Sequence, residues 1–262
     1  MSNKLAGSKQ ESRAPKNIHY CWFGGNALSD SARSAMATWE KFAPGFEVKR
    51  WDETNFDISA CSFTKKAYEA RKWAYVSDYA RLRILYENGG VYMDVGSTLV
   101  KDVTPLLQYS PFSAIENGRK TVNTGLIASC EAFNPVVAEV LAAYEELAFE
   151  DNYSFLYAHT ANLMFTRVLE QHGFVCEDRL QRVAGWTLLP CDYFDPLLRK
   201  GGYSITHNTY STHMSSSSWT PKSEQMRARL IKKMAPHTGD WIARKIARIA
   251  SEAAKATVFR DE

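Results

Sequence analysis

No window of the chain approaches the roughly 20 uninterrupted apolar residues that a membrane-spanning helix needs. The start, Met1 to Asn17, is polar and mixed in charge, so neither a span nor a secretory signal is expected. Cysteine is sparse. Cys21, Cys61, Cys130, Cys176 and Cys191 are scattered, odd in number and never in a Cys-x-x-Cys pair, which argues against a disulfide framework or a zinc knuckle. A reducing cytoplasm fits best. Net charge is only +3 and no internal repeat is visible. The charge is nonetheless uneven: Lys222 to Arg260 holds ten Lys or Arg against three acids, net +7, leaving −4 for the rest. Positive charge confined to one terminal segment, rather than spread over a folded face with exposed aromatics, speaks against a nucleic-acid partner.

What is present suffices for one large α/β domain: 262 residues, 45% of them hydrophobic, can bury a full core. Residues 1–16 lack periodicity and read as a disordered leader. Ile18 to Phe23, closed by Gly24-Gly25, has the length and aromatic content of a buried first strand. Ser31 to Phe42 reads as a helix stopped by Pro44-Gly45, and Phe46 to Trp51 as a second strand. Thr64 to Asn88 is helical in two pieces, ending at Gly89-Gly90. The next strand alternates, with Val91 and Met93 on one side and Tyr92 and Asp94 on the other. Thr98 to Val100 reads as its continuation after a turn at Gly96. Phe112 to Ile115 and Thr124 to Ala128 are expected strands, Pro135 to Phe149 a helix, and two further helices are expected between His159 and His172. Such alternation predicts a mainly parallel, Rossmann-like sheet with helices on both faces.

In an open α/β sheet, ligands bind beyond the carboxyl ends of the strands, where Asp94 should stand. The preceding helix offers Ser77, Asp78 and Arg81. Asp78 and Arg81 are three apart, so a carboxylate and a guanidinium share one helical face and can grip neighbouring hydroxyls. The plain alternative is a surface ion pair and an aspartate capping a turn. A hydrolase would need a second acid opposite Asp94; Asp78, Glu116 or Asp192 could be proposed, at a separation that cannot be read from sequence. His19, inside an apolar strand, reads as a satisfied core or loop-positioning histidine rather than a ligand. The aromatic stretch Trp186 to Phe194 reads as packing plus an acceptor-side wall, with Asp192, Tyr193 and Asp195 in reach of acceptor hydroxyls.

Four motifs stand in a telling order: Ile18-His19-Tyr20-Cys21-Trp22-Phe23-Gly24-Gly25, Arg50-Trp51-Asp52-Glu53-Thr54-Asn55-Phe56, Ala74-Tyr75-Val76-Ser77-Asp78-Tyr79-Ala80-Arg81 and Gly89-Gly90-Val91-Tyr92-Met93-Asp94. Together they resemble the family-32 glycosyltransferases, bacterial capsule and lipopolysaccharide sugar transferases with a DxD sugar-binding region, distantly similar to the glucosylating domains of large clostridial toxins. The resemblance implies a GT-A fold over residues 17–221, a UDP-sugar or other nucleoside-diphosphate sugar donor, Mn²⁺ or Mg²⁺, and retention at the anomeric carbon. It implies that Trp22 stacks on the nucleobase and that Asp78, Arg81 and Asp94 form the catalytic group. Ser77, Tyr92 and Asn123, the last within Asn123-Thr124-Gly125, join them in donor binding. Tyr210-Ser211-Thr212-His213 with Ser218-Trp219 is similar to the family's closing motif. His213 is then implied to bind the metal beside Asp94, and Ser218 and Trp219 to close over the diphosphate. An imidazole beside a carboxylate suits a cation of the Mn²⁺ type.

One position departs from the pattern: Asp94-Val95-Gly96 stands where the family commonly has Asp-x-Asp. Three accounts remain open. The metal is held by Asp94 and His213 with water or Ser97, the enzyme works without a tightly held metal, or activity is lost.

The tail, residues 222–262, is read as Glu224 to Met234 followed, after Pro236 and Gly239, by a helix from Asp240 to about Thr257. There Ile242, Ile246 and Ile249 recur at helical spacing beside Arg244, Lys245 and Arg248, a pattern able to lie on an anionic bilayer or to pack on the catalytic domain. The expected protein is cytoplasmic, peripheral on the inner face of the cell membrane, and passes its sugar to a glycan or lipid-linked acceptor. Two rivals stand beside it: a non-catalytic nucleotide-sugar-binding relative that regulates assembly, and a toxin-like enzyme that glycosylates protein.

Overall fold

A computed structural model describes residues 15–116, 121–129, 131–196, 198–199, 202–213, 222–239 and 241–247. Residues 1–14 of the expected leader, Ser218, Trp219, Asp240 and the end of the tail lie outside them; the carbonyl of Lys16, expected in the leader, accepts from the Glu47 N–H at 2.8 Å.

The chain opens with β1 (Asn17–Cys21), α1 (Asp30–Phe42) and β2 (Glu47–Trp51). Ser29 caps α1 by accepting from the Ala32 N–H, and the helix turns Ala32, Ala35 and Trp39 inward. Two helical pieces follow, α2 (Ser62–Glu69) and α3 (Trp73–Asn88), broken at Arg71, whose φ of 56° no helix accommodates. Unlike α1, α3 is buried nearly all round, from Tyr75 to Leu85, as suits a helix covered by other helices as well as by the sheet. It ends at Gly89, and β3 (Gly90–Met93) begins at once. Gly90 has φ +87°, and a Cβ there would lie 2.9 Å from the Asn17 carbonyl oxygen. Only glycine lets β3 start this close to β1.

After β4 (Ser97–Leu99) come β5 (Phe112–Ile115) and β6 (Val122–Ser129), then α4 (Pro135–Glu145), α5 (Tyr153–Ala158) and α6 (Ala161–Gln171). Two expectations shift here. The Pro135 helix stops at Glu145 rather than Phe149. Between His159 and His172 there is one helix, its companion α5 lying just before His159. The caps explain the division: Asn152 accepts from Phe155 N–H to start α5, and the extended backbone of Thr160 starts α6.

With β7 (Gln181–Val183) and β8 (Trp186–Leu189), the main sheet has seven strands in the order β2-β1-β3-β6-β5-β8-β7. The pairings β1–β2, β1–β3 and β5–β8 are parallel, while β6 runs against both its neighbours and β7 against β8. Five strands therefore share one direction, and the sheet is mostly parallel, as expected. Val91 and Met93 pack on one face with Trp39 of α1. Tyr92 packs on the other with α2, α3, α4 and α6, so both faces are covered.

Two ribbons complete the fold. The β9 (Leu198–Arg199) and β10 (Gly202–Tyr203) hairpin packs against α7 (Lys222–Thr238), and β11 (Ser211–His213) pairs antiparallel with β4. Ser97 to Leu99 thus leaves the main sheet instead of extending it. In the tail, α7 continues through Pro236 and closes with the Gly239 N–H on the Ala235 carbonyl. The break falls at Gly239, whose φ of +85° ends the helix, while Pro236 in the last turn costs one backbone hydrogen bond without stopping it. Residues 241–247 form a second helical segment. No described helix is long and apolar enough to cross a membrane.

Candidate active site

The carboxyl end of β3 meets one face of α3, and charged side chains from both converge there. The Arg81 guanidinium lies over the Tyr92 ring, 4.7 Å from its centroid. Its Nη2 is 3.1 Å from Asp78 Oδ1 and 3.2 Å from Asp94 Oδ1. Nη1 donates to Thr124 Oγ1 at 3.1 Å and to the Thr124 carbonyl at 3.2 Å, and Nε donates to the Ser77 carbonyl at 3.2 Å. A guanidinium has five N–H donors, and each faces a protein acceptor. Arg81 is therefore a hub that holds two carboxylates, and the spare lone pairs available to a ligand belong to those carboxylates.

The Asp78–Arg81 pair is no surface pair: the side chains are 13% and 8% exposed. Burial raises the Asp78 pKa, opposed by Arg81 and by the Ala161 N–H, which donates to Asp78 Oδ2 at 3.0 Å. Burial also disfavours the charge on Arg81, but Asp94, Tyr92 and Asp78 outweigh it and hold the guanidinium above its ordinary pKa. The Tyr92 hydroxyl donates to Asp94 Oδ1 at 3.0 Å, and burial keeps its pKa well above the usual phenol range.

The β4–β11 ribbon delivers the distant histidine. Asp94 is followed by a tight turn closed by the Ser97 N–H on the Asp94 carbonyl, and Ser97 is in register with His213. His213 Nε2 consequently stands 3.6 Å from Asp94 Oδ2, with the two side chains 24% and 27% exposed. A Cβ at Gly125 would come within 3.1 Å of Asn123 Oδ1, 3.2 Å of Asp94 Oδ2 and 3.7 Å of His213 Nε2. Glycine keeps the space between these groups free. An oxygen and an imidazole nitrogen bordering one such space suit a Mn²⁺ or Mg²⁺ ion. Among the described residues no third His, Cys, Asp or Glu side chain joins them, so water and ligand oxygens would have to complete the shell, as is common for Mg²⁺.

The other expected residues fall out unevenly. The Ser77 hydroxyl donates back to the Trp73 carbonyl of its own helix, so its part here is the carbonyl that holds Arg81. Asn123 is buried, and its Oδ1 accepts from the Gly125 N–H at 2.7 Å. Trp22 follows β1, donates its indole N–H to the Asn26 carbonyl at 2.6 Å and leaves part of its ring accessible. Asp192 is engaged within its own loop region by Thr206 and Asn208, while Trp186 is wholly buried against Phe165.

One participant was missed. Asn162 accepts from the Thr124 N–H and hydroxyl at 3.0 and 2.5 Å, and donates to Glu116 Oε2 at 2.8 Å. A helical Asn far along the chain carries no local signal of this contact. His19 behaves as read: it is buried, facing Gly89 O and Trp51 Nε1, each at 3.1 Å.

Residues 29–113 match the family described as the glycosyltransferase sugar-binding region containing the DXD motif. The match takes in Asp78, Arg81, Tyr92 and Asp94 and stops short of Asn123 and His213. Among solved structures the chain is similar to a PaToxG glycosyltransferase, at 19% identity over 60% of this chain and 69% of that one, with a TM-score of 0.47. It is also similar to a glycosyltransferase involved in the glycosylation of the major capsid of PBCV-1, at 12% identity over 79% of this chain and 96% of that one, with a TM-score of 0.39. No curated protein matches.

Proposed function

We propose that this protein is a retaining glycosyltransferase that moves a hexose from a nucleoside-diphosphate sugar, UDP-sugar by preference, to a glycan or lipid-linked acceptor in bacterial surface polysaccharide synthesis. The observation that carries the reading is the Arg81 hub: two carboxylates with spare lone pairs at the carboxyl end of β3, inside the matched sugar-binding region, met there by His213 from outside that region. In this reading Asp78 and Asp94 accept from donor-sugar hydroxyls, Arg81 keeps both carboxylates in place, and Trp22 offers its ring to the nucleobase. The bond from the anomeric carbon to the diphosphate oxygen breaks. The acceptor oxygen bonds to that carbon on the same face, and its proton passes to the departing phosphate. A Mn²⁺ or Mg²⁺ ion at Asp94 and His213 would supply charge stabilisation to the diphosphate.

The helical segment 241–247 supports a peripheral membrane role. Trp241, Ile242 and Ile246 are exposed, and the Lys245 ammonium lies over the Trp241 ring. Apolar side chains beside cations suit an anionic bilayer surface. Replacing Trp241 and Ile246 with Ser should cut co-sedimentation with phosphatidylserine vesicles, and unchanged binding would remove this part of the reading.

The central test incubates the protein with a panel of UDP- and GDP-sugars and plausible acceptors, with Mn²⁺ or EDTA, and follows nucleotide release. Turnover with one donor, and a product of unchanged anomeric configuration, is the expected result. Binding without turnover for every donor would favour a non-catalytic nucleotide-sugar-binding protein, the reading motivated by Gly96.

A further inference from the structure

We infer that Glu116 and Asn162 are positioning residues for Arg81, acting through Thr124 by a directed chain of hydrogen bonds. The inference deepens the proposed transfer reaction and relies on it only for its activity readout.

Glu116 directly follows β5. Its Oε2 accepts from Asn162 Nδ2 at 2.8 Å and from the Thr121 hydroxyl at 2.6 Å. An ionised carboxylate can only accept, so it dictates which end of the Asn162 amide faces it. The amide oxygen is thereby turned towards Thr124, where it accepts from the backbone N–H at 3.0 Å and from the hydroxyl at 2.5 Å. With its proton committed to Asn162, the Thr124 hydroxyl presents lone pairs to Arg81 Nη1, 3.1 Å away. Three bonds with one polarity run from an anion to a cation, an arrangement in which each strengthens the next. A reversed amide would set an NH₂ group against the Thr124 N–H and turn the hydroxyl proton towards the guanidinium.

The start of α6 ties this chain to the other side of the hub. Ala161, the residue before Asn162, donates its N–H to Asp78 Oδ2. One turn further on, Thr166 accepts from the Val122 N–H at 2.9 Å and anchors α6 to β6. Two consecutive residues of one helix therefore hold two of Arg81's partners, Asp78 and Thr124.

Exchanging the charge along the chain tests this. Asn162→Asp sets two carboxylates against each other and should lower turnover at least tenfold. Glu116→Gln alone can still accept from Asn162 but, able to donate as well, no longer dictates the amide's orientation, and should lower turnover a few-fold, less than Asn162→Asp does. Combining them lets an amide donate to a carboxylate with the bond reversed, and should restore turnover to within threefold. Side-chain NMR of ¹⁵N-arginine-labelled protein provides a second readout: the Arg81 Nε–H should lose order in Asn162→Asp and regain it in the double variant. If Asn162→Asp does not fold, Asn162→Ala carries the NMR test, with the same loss of order expected. A double variant no better than Asn162→Asp, or an Arg81 equally ordered in all of them, would overturn the inference. If wild-type protein turns over no donor, the transfer reading fails while the NMR measurement still decides the relay.

Discussion

At the start of β3, His19 is sealed between the Trp51 indole and the Gly89 carbonyl; at its end, Arg81 lies between Asp78 and Asp94. Both clusters are polar and largely closed to water, yet their chemistry is opposite. Trp51 donates to His19 Nδ1, which leaves Nε2–H to donate to Gly89. One neutral tautomer thus uses both ring nitrogens, and burial lowers the pKa to about 4. Such a cluster has nothing left to bind with, and it serves to brace the glycine turn into β3. The Arg81 cluster sets two carboxylates against one guanidinium, leaving acceptor capacity on the side where Asp94 and His213 remain partly exposed. Equal depth on one sheet therefore distinguishes structural from functional polarity less well than the balance of donors and acceptors does.

The largest expected effect belongs to the charged cluster. Arg81→Ala leaves two carboxylates facing each other and should cost about 3–5 kcal/mol in urea unfolding, with Arg81→Lys recovering part of it. A loss near zero would mean that the hub is not held together by its charge.

Next comes the neutral cluster. An unfolded histidine takes up a proton below its ordinary pKa of 6.5, whereas folded His19 does so only near 4. Its contribution is thus fully present above pH 6.5 and declines as pH falls towards 4, by up to about 3 kcal/mol. Unfolding measured across this range in wild type and His19→Phe should show the extra pH dependence in wild type alone. Parallel profiles would erase the contrast between the two clusters.

Asp94→Asn keeps the shape of the site while removing charge, and should lower sugar transfer at least about tenfold, or ~1.4 kcal/mol of barrier, with an almost unchanged Tm. Wild-type rates would move the functional centre elsewhere. The smallest effect is expected from Gly125→Ala, whose added methyl enters the space beside Asp94, Asn123 and His213. A Mn²⁺ titration of activity should shift a few-fold to higher concentration, and an unshifted curve would show that the space holds no ion.

The amphipathic periods made much of this architecture legible. Alternation in β3 separated Val91 and Met93 from Tyr92, and spacing put Asp78 and Arg81 on one face of α3, because both are matters of local backbone geometry. The reversal of β6 and β7 was not legible, since strand direction depends on where connections cross rather than on side-chain pattern. Pro236 misled the placement of the tail helices, because a proline near a helix end costs one hydrogen bond without forcing the helix to stop. Burial of the Asp78–Arg81 pair was likewise beyond local spacing, as it required α4 and α6 to cover α3.

Residue types and their local spacing alone determined that a carboxylate would end β3, that Gly89-Gly90 would precede it, and that His19 would be a core residue. The resemblance had implied His213 beside Asp94, and tertiary structure supplies its 3.6 Å approach; tertiary structure alone decided that Asn162 reaches Thr124. The first contact follows from the pairing of β11 with β4, the second from the docking of α6 on β6. Each joins segments whose separation along the chain carries no periodic signal, and each forms because the packing of whole elements, not the preference of any one residue, sets which side chains meet.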